Sequence, residues 1–281
     1  MANPLFDRLF GCHAGRGDPF LHLPGGGVVS YATFLTLSAR LAQALSAAGL
    51  VAGDRLAAQV AKSPEALALY AACVRTGVIF LPLNTAYTET ELDYFIRDSG
   101  ARLVVCDPSR AGKLAAIAED LGAALLTLDA KGGGSLIDAA AGASEDHDPV
   151  SRDGGDLAAF LYTSGTTGRS KGAMLTQDNL LSNALTLAAL WRFTADDVLL
   201  HALPIFHTHG LFVATNIALA TGGSMIFLPG FDRDAVIAEM PRATAMMGVP
   251  TFYTRLLDDA RFDRDLTAHM RLFISGSAPM L

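Results

Sequence analysis

Cysteine is scarce in this chain: three thiols, Cys12, Cys73 and Cys106, in 281 residues. An odd number spaced this far apart excludes a disulfide framework and has no metal-site spacing. Free thiols in a reducing compartment are therefore expected. Positive charge is also short. Lys and Arg total 21 against 28 Asp and Glu, a net charge of −7. That excludes a nucleic-acid partner, because binding a phosphate backbone needs basic patches. Long apolar runs are lacking too. Hydrophobic residues make up 51% of the chain, but Asp, Arg and Gly break them up, and none reaches the roughly 20 residues that span a bilayer. The start, M-A-N-P-L-F-D-R, has no basic segment followed by an apolar stretch, so no signal peptide is predicted. The expectation is a cytoplasmic protein with no membrane partner. It is long enough to bury a large core as one large domain or two fused lobes.

What the sequence does have is alternation. Strand patterns at 55–60, 78–81, 103–106, 124–128 and 157–162 alternate with helix patterns at 33–48, 64–76, 88–99 and 110–121. The helix at 64–76 carries proline in its first turn and Gly77 after its end. Thr88 and Glu91 form a capping-box pair. The stretch 142–155 is acidic and aperiodic and reads as a surface connector between two subdomains. Beyond it, strands at 198–201, 224–228, 244–247 and 271–274 alternate with helices at 177–191, 211–219, 233–240 and 251–259. Strands separated by helices predict an α/β chain of parallel sheets covered by helices.

The most informative segment is Y-T-S-G-T-T-G-R-S-K-G-A at 162–173. Gly165 and Gly168 let the backbone approach a ligand closely. Thr163, Ser164, Thr166 and Thr167 supply hydroxyls, and the loop amides can align as an anion-binding nest. Lys171 adds a point charge suited to phosphate. This is not a Walker loop, since only two residues separate Gly168 from Lys171 and Gly172 stands where Ser or Thr would be. Such turns are commonly plain polar surface, but the preceding buried strand and the lysine favour a phosphate loop.

Three later segments matter. In L-P-I-F-H-T-H-G at 203–210, His207 and His209 could share one face, but no third His or Cys lies nearby, so zinc is not expected. Both then read as hydrogen-bonded core or interface histidines. In G-V-P-T-F-Y-T-R at 248–255, Arg255 either clamps a carboxylate with paired hydrogen bonds or pairs with Asp258 or Asp259 on its own helix. S-G-S-A-P at 275–279 would by itself be a routine turn.

Together and in this order the four segments resemble the adenylate-forming superfamily of acyl-CoA synthetases, luciferases and non-ribosomal peptide adenylation domains. In detail they are most similar to malonyl-CoA synthetases. The resemblance implies the N-terminal domain of that fold, with parallel sheets in two subdomains at 1–155 and 156–281. It implies an AMP-forming acid–CoA ligase taking malonate, ATP and coenzyme A, with Mg²⁺ as cofactor. ATP contacts are then expected from Thr163, Ser164, Gly165, Thr166, Thr167, Gly168 and Lys171, and from Gly276, Ser277, Ala278 and Pro279. Thr163 is the expected metal contact. His207, Arg255 and Ser277 are expected at the acid, with Arg255 holding the distal carboxylate, and His207, Lys171 and Thr163 at the chemistry. His207 matches a residue that in this family lies by the acyl pocket and shifts as coenzyme A enters.

Relatives continue past the S-G-S-A-P match with a Tyr-Gly-x-Thr-Glu segment, a ribose-binding aspartate and a small domain carrying the adenylation lysine. None of these occurs between 1 and 281. The chain is therefore expected to be the N-terminal part of a synthetase, partnered by that remainder and not making acyl-CoA alone. Two other readings stand beside malonate: a ligase for another short or medium acid, and a non-catalytic nucleotide-binding fragment. Oligomeric state is not predicted.

Overall fold

The computed structural model describes residues 2–163 and 170–279. Its strands, in chain order, are β1 (Pro19–His22), β2 (Val28–Ser30), β3 (Arg55–Gln59), β4 (Ile79–Pro82), β5 (Leu103–Cys106), β6 (Ala124–Thr127), β7 (Leu157–Thr163), β8 (Lys171–Thr176), β9 (Val198–His201), β10 (Ser224–Phe227), β11 (Ala245–Gly248) and β12 (Leu272–Ser275). They form two six-stranded sheets, β6-β5-β3-β4-β7-β8 and β12-β11-β9-β10-β1-β2. Within each sheet neighbours are parallel, apart from the β7/β8 and β1/β2 hairpins. Helices fill the connections, as parallel pairing requires. The central strands β4, β5 and β11 are buried along their whole length, the mark of a sheet covered on both faces. This is the α/β architecture the alternation predicts.

The chain divides into two compact units, one of 1–14 with 33–181 and one of 15–32 with 182–281. The expected boundary at 155/156 is therefore displaced. β7 joins the first sheet by pairing with β4, Phe80 opposite Ala159, and brings its hairpin partner β8 with it. The stretch at 142–155 contains no helix or strand, yet it connects parts of one unit. Asn3, fully buried, donates through Nδ2 to the Val74 and Val150 carbonyls at 2.9 and 3.0 Å. The segment at 15–32 belongs to the second unit because β1 pairs with β10, Leu21 opposite Met225.

In the first unit local chemistry decides the helix ends. The helix Pro64–Thr76 starts on Ser63, whose side chain accepts from the Ala66 amide, and stops at Gly77 with φ 71°. The helix Glu89–Ser99 starts on the Thr88–Glu91 capping box and stops at Gly100, φ 61°. Among the described residues no helix is long and apolar enough to cross a membrane.

The second unit is organised by one carboxylate. Asp197 lies just before β9 and is 5% exposed. It accepts from Arg271 Nε and Nη2, both at 2.6 Å, from Thr244 Oγ1 at 2.7 Å and from the Thr194 amide at 2.8 Å. Thr244 precedes β11 and Arg271 precedes β12, so a single residue ties the amino ends of three parallel strands. Burial alone would raise this carboxyl. The hydrogen bonds from Arg271, Thr244 and Thr194 outweigh it and hold the group below its ordinary value. Arg271 is itself fixed over the Phe193 ring at 4.8 Å and donates to the Trp191 carbonyl.

Replacing Asp197 with Ala should cost about 1.5–3 kcal/mol, the scale of hydrogen bonds to a charged group, because the half-exposed Arg271 and the Thr244 hydroxyl lose their buried acceptor. Urea unfolding followed by Trp191, the chain's single tryptophan, measures this. The wild-type contribution should be complete above a pH of about 4 and fall away below it, as the unfolded carboxyl takes up its proton first. A pH-independent difference between the two proteins over that range contradicts the assignment.

Candidate functional site

β9, β11 and β12 run parallel in register, with Met247 opposite His201 and Gly248 opposite Ser275. Their carboxyl ends therefore lie side by side, and each is followed by one of the segments singled out above. This is where open α/β sheets place ligands.

The segment after β9 is bent sharply. Pro204 carries its carbonyl so close to Gly210 that a Cβ there would lie 2.0 Å from the oxygen; only glycine fits. The Gly210 carbonyl is taken by His201 Nε2 at 2.8 Å and by the Thr215 hydroxyl at 3.0 Å, both buried. The helix predicted at 211–219 is in fact a π-helical turn, His209–Thr215, running into the α-helix Asn216–Thr221. Widened turns of this kind are frequent at functional sites.

The bend presents His207, Thr208 and His209 to a cavity of about 360 Å³, lined also by Val249 and Ser277. His207 is exposed, with its ring edge-on to Phe206 at 4.6 Å. His209 is half-buried, and its Nδ1 lies 3.1 Å from the Ser277 hydroxyl. His207 is exposed over part of its surface while its ring reaches into the cavity, and this partial burial, like that of His209, lowers the imidazole pKa. Ser277 has φ 68°, a left-handed conformation that a serine adopts at a cost of about 1–2 kcal/mol. Gly276, just before it, donates its amide to the Gly248 carbonyl at 3.2 Å. The S-G-S-A-P turn thus aims a hydroxyl at His209 through strained backbone. Its next two residues, Ala278 and Pro279, line a second, mostly apolar cavity of about 520 Å³ beside the helix Pro250–Leu257, into which Ser275 also faces.

Arg255 lies on that helix and lines neither cavity. It is exposed, and its guanidinium sits 4.8 Å over the Phe231 ring, which stacks on Phe252 at 4.1 Å. The alternative pairing with Asp259 is not what forms. Asp259 is bound by Arg233 and Arg261, and Arg255 enters none of the ion pairs among the described residues.

Thr163 and Lys171 belong to the first unit. They face each other as the last and first residues of β7 and β8, with the Thr163 hydroxyl 3.5 Å from the Lys171 carbonyl. Gly172 is a glycine for packing: a Cβ there would lie 2.3 Å from the Phe160 ring. Ser164, Gly165, Thr166, Thr167 and Gly168 lie outside the described residues. The structure thus brings His207 and Ser277 to one cavity, Ala278 and Pro279 to the other, and Thr163 with Lys171 to one strand end. The residue that sequence reading set aside is His209. It is hydrogen-bonded as expected, but it is also a cavity wall, and the partner that reveals this, Ser277, is far along the chain. Among the described residues no cluster of three or more His, Cys, Asp or Glu could hold a metal ion.

The sequence profile of the family described as "AMP-binding enzyme" matches residues 13–281. The chain belongs to the AMP-binding enzyme family. Among its relatives is a feruloyl-CoA synthase of Amycolatopsis sp, 36% identical over 91% of this chain and 50% of the relative. The mitochondrial malonate–CoA ligase of Homo sapiens is 30% identical over 99% of this chain and 50% of the relative. The crystal structure of apo MatB from Rhodopseudomonas palustris superposes with a TM-score of 0.97 at 58% identity, covering 100% of this chain and 56% of MatB. The chain spans about half the length of these family members.

With both imidazoles shifted downward, His207 and His209 should titrate below the ordinary histidine value of about 6.5 in an NMR pH series. The unfolded chain then takes up protons first, so these groups lower stability as pH falls through that value. A midpoint above it for either ring contradicts the described environment.

Proposed function

We propose that the protein containing this chain is an ATP-dependent, AMP-forming acid–CoA ligase whose acid is malonate. The observation that carries the choice of acid is Arg255: a guanidinium held over an aromatic ring and in no ion pair among the described residues, on the helix that follows Val249 of the smaller cavity. Malonate brings one carboxylate to the reacting centre and leaves the second to be neutralised. Enclosing that charge without a cation would be very unfavourable. A planar guanidinium meets it with two parallel hydrogen bonds. The relative named malonate–CoA ligase supports the same acid.

In the proposed reaction the other carboxylate attacks the α-phosphate of ATP and pyrophosphate leaves, giving an acyl-adenylate. The coenzyme A thiol then attacks the acyl carbon and AMP departs. No covalent protein nucleophile is needed. What the protein supplies is position and charge neutralisation for an anion attacking a polyanion. Lys171 and the Thr163 hydroxyl, paired at the mouth of the glycine-rich loop, fit the phosphates. His207, whose pKa partial burial lowers, lines the smaller cavity beside Val249 and Ser277, where the reacting carboxylate would lie. Mg²⁺ would neutralise phosphate charge. An exposed hydroxyl such as Thr163's fits an ion that takes most of its ligands from phosphate and water.

The feruloyl-CoA synthase, at 36% identity, favours a second reading, a larger apolar acid. The two separate on one variant. In the full-length gene product, Arg255→Leu should lower kcat/KM for malonate by about 2–5 kcal/mol, roughly 30- to 5,000-fold, and leave acetate nearly unchanged. An equal drop for both acids rules out the carboxylate clamp. Lys171→Ala should slow acid-dependent ATP–pyrophosphate exchange by about 2–4 kcal/mol of barrier, the worth of one fixed donor to a developing charge. Unaltered exchange removes Lys171 from the phosphate site.

A further inference from the structure

The two ends of the glycine-rich loop are both held by one helix. Glu89–Ser99 is a rigid element. Its first turn is closed by the capping box, with the Thr88 amide donating to Glu91 Oε2 at 2.8 Å. Its last carbonyls are occupied by Arg55, which donates from Nε to Ser99 and from Nη2 to Gly100, each at 2.8 Å. A cation at a helix carboxyl end also complements the macrodipole. Leu92, Phe95, Ile96 and Ser99 bury one face.

Tyr94 and Asp98, one turn apart, project together from this helix. The Tyr94 hydroxyl donates to the Ser170 carbonyl at 3.1 Å. Asp98 Oδ2 accepts from the Tyr162 hydroxyl at 2.6 Å, and the Tyr162 ring lies against Phe95 with centroids 4.3 Å apart. Tyr162 immediately precedes Thr163, and Ser170 immediately precedes Lys171. Burial first, and then Asp98, push the Tyr162 hydroxyl far above its ordinary pKa, so it remains a donor throughout the working pH range.

We propose that Tyr94 and Asp98 are positioning residues for the phosphate-binding pair Thr163 and Lys171. They hold the two strand ends at a fixed separation from one rigid helix, so that the hydroxyl and the ammonium meet the nucleotide with no reorganisation. The proposal rests on the ligase reading and adds residues that touch no substrate. It also separates the two half-reactions. Misplacing the strand ends weakens contacts made while pyrophosphate leaves, whereas transfer of the acyl group from a finished adenylate to coenzyme A does not use them.

The test takes the full-length gene product and measures two rates: malonate-dependent ATP–pyrophosphate exchange, and thioester formation from supplied malonyl-adenylate and coenzyme A. Tyr162→Phe and Tyr94→Phe each remove only a hydroxyl. Each should lower kcat for exchange about tenfold or somewhat less, the scale of one hydrogen bond, with thioester formation within about twofold of wild type. Asp98→Ala should match Tyr162→Phe, the double variant should be no slower than the worse single one, and Asp98→Asn, which keeps an acceptor oxygen, should recover most of the loss. An active wild type whose variants exchange normally, or lose both half-reactions together, overturns the proposal alone. A wild type with no acid-dependent exchange overturns the ligase reading and the proposal with it.

Discussion

A buried carboxylate must be paired, and in the second unit that requirement sets everything downstream. Asp197 takes hydrogen bonds from groups that precede β11 and β12 while itself preceding β9. Each bond is charge-assisted or buried, so none can be given up without leaving a polar group dry. The amino ends of three parallel strands are thereby locked in register, and because the strands are only four residues long, their carboxyl ends inherit that register with little slack. Val249 follows β11 directly, Ser277 lies two residues beyond β12, and His207 is on the bent segment after β9. The geometry of the smaller cavity is a consequence of an ion pair at the opposite edge of the sheet.

The first unit follows the same logic with different parts. There a helix, stiffened at one end by its capping box and at the other by Arg55, holds the β7/β8 hairpin where Thr163 and Lys171 stand opposite each other. In the first unit Thr163 and Lys171 stand at strand ends and a helix holds them, whereas in the second His207 and Ser277 sit on irregular backbone beyond strands tied at their amino ends. Ser277, with its left-handed φ, is the point where backbone strain is accepted to aim a side chain, and Gly210 is the point where only a residue without a Cβ fits the bend.

Much of this was legible in the residues, and the reasons differ by element. The helix Pro64–Thr76 and the capping box at Thr88 are read from local chemistry that needs no tertiary partner. β5, a continuous apolar run, is equally plain. β1 and β2 were not legible. They are four and three residues long, and β1 exists because a strand distant in sequence, β10, pairs with it. The displaced boundary has the same cause, since the aperiodic stretch at 142–155 looks like a divider until β7 is seen pairing with β4. The π-helical turn depends on Gly210 meeting Pro204. The role of His209 depends on Ser277, a contact between segments that no periodicity connects. Arg255 was legible as a choice between clamp and ion pair; Arg233 and Arg261 occupy Asp259, which removes one ion-pair alternative and leaves the clamp as a proposal.

In the proposed function the acid is chosen by one cation, Arg255, that enters no ion pair among the described residues. The most direct measurement is pyrophosphate release by the full-length gene product with malonate, methylmalonate, acetate and octanoate at equal concentrations. The account predicts that malonate is used best, methylmalonate next, and that octanoate, which would bury an unpaired guanidinium against its chain, is not used. Octanoate outperforming malonate would contradict it.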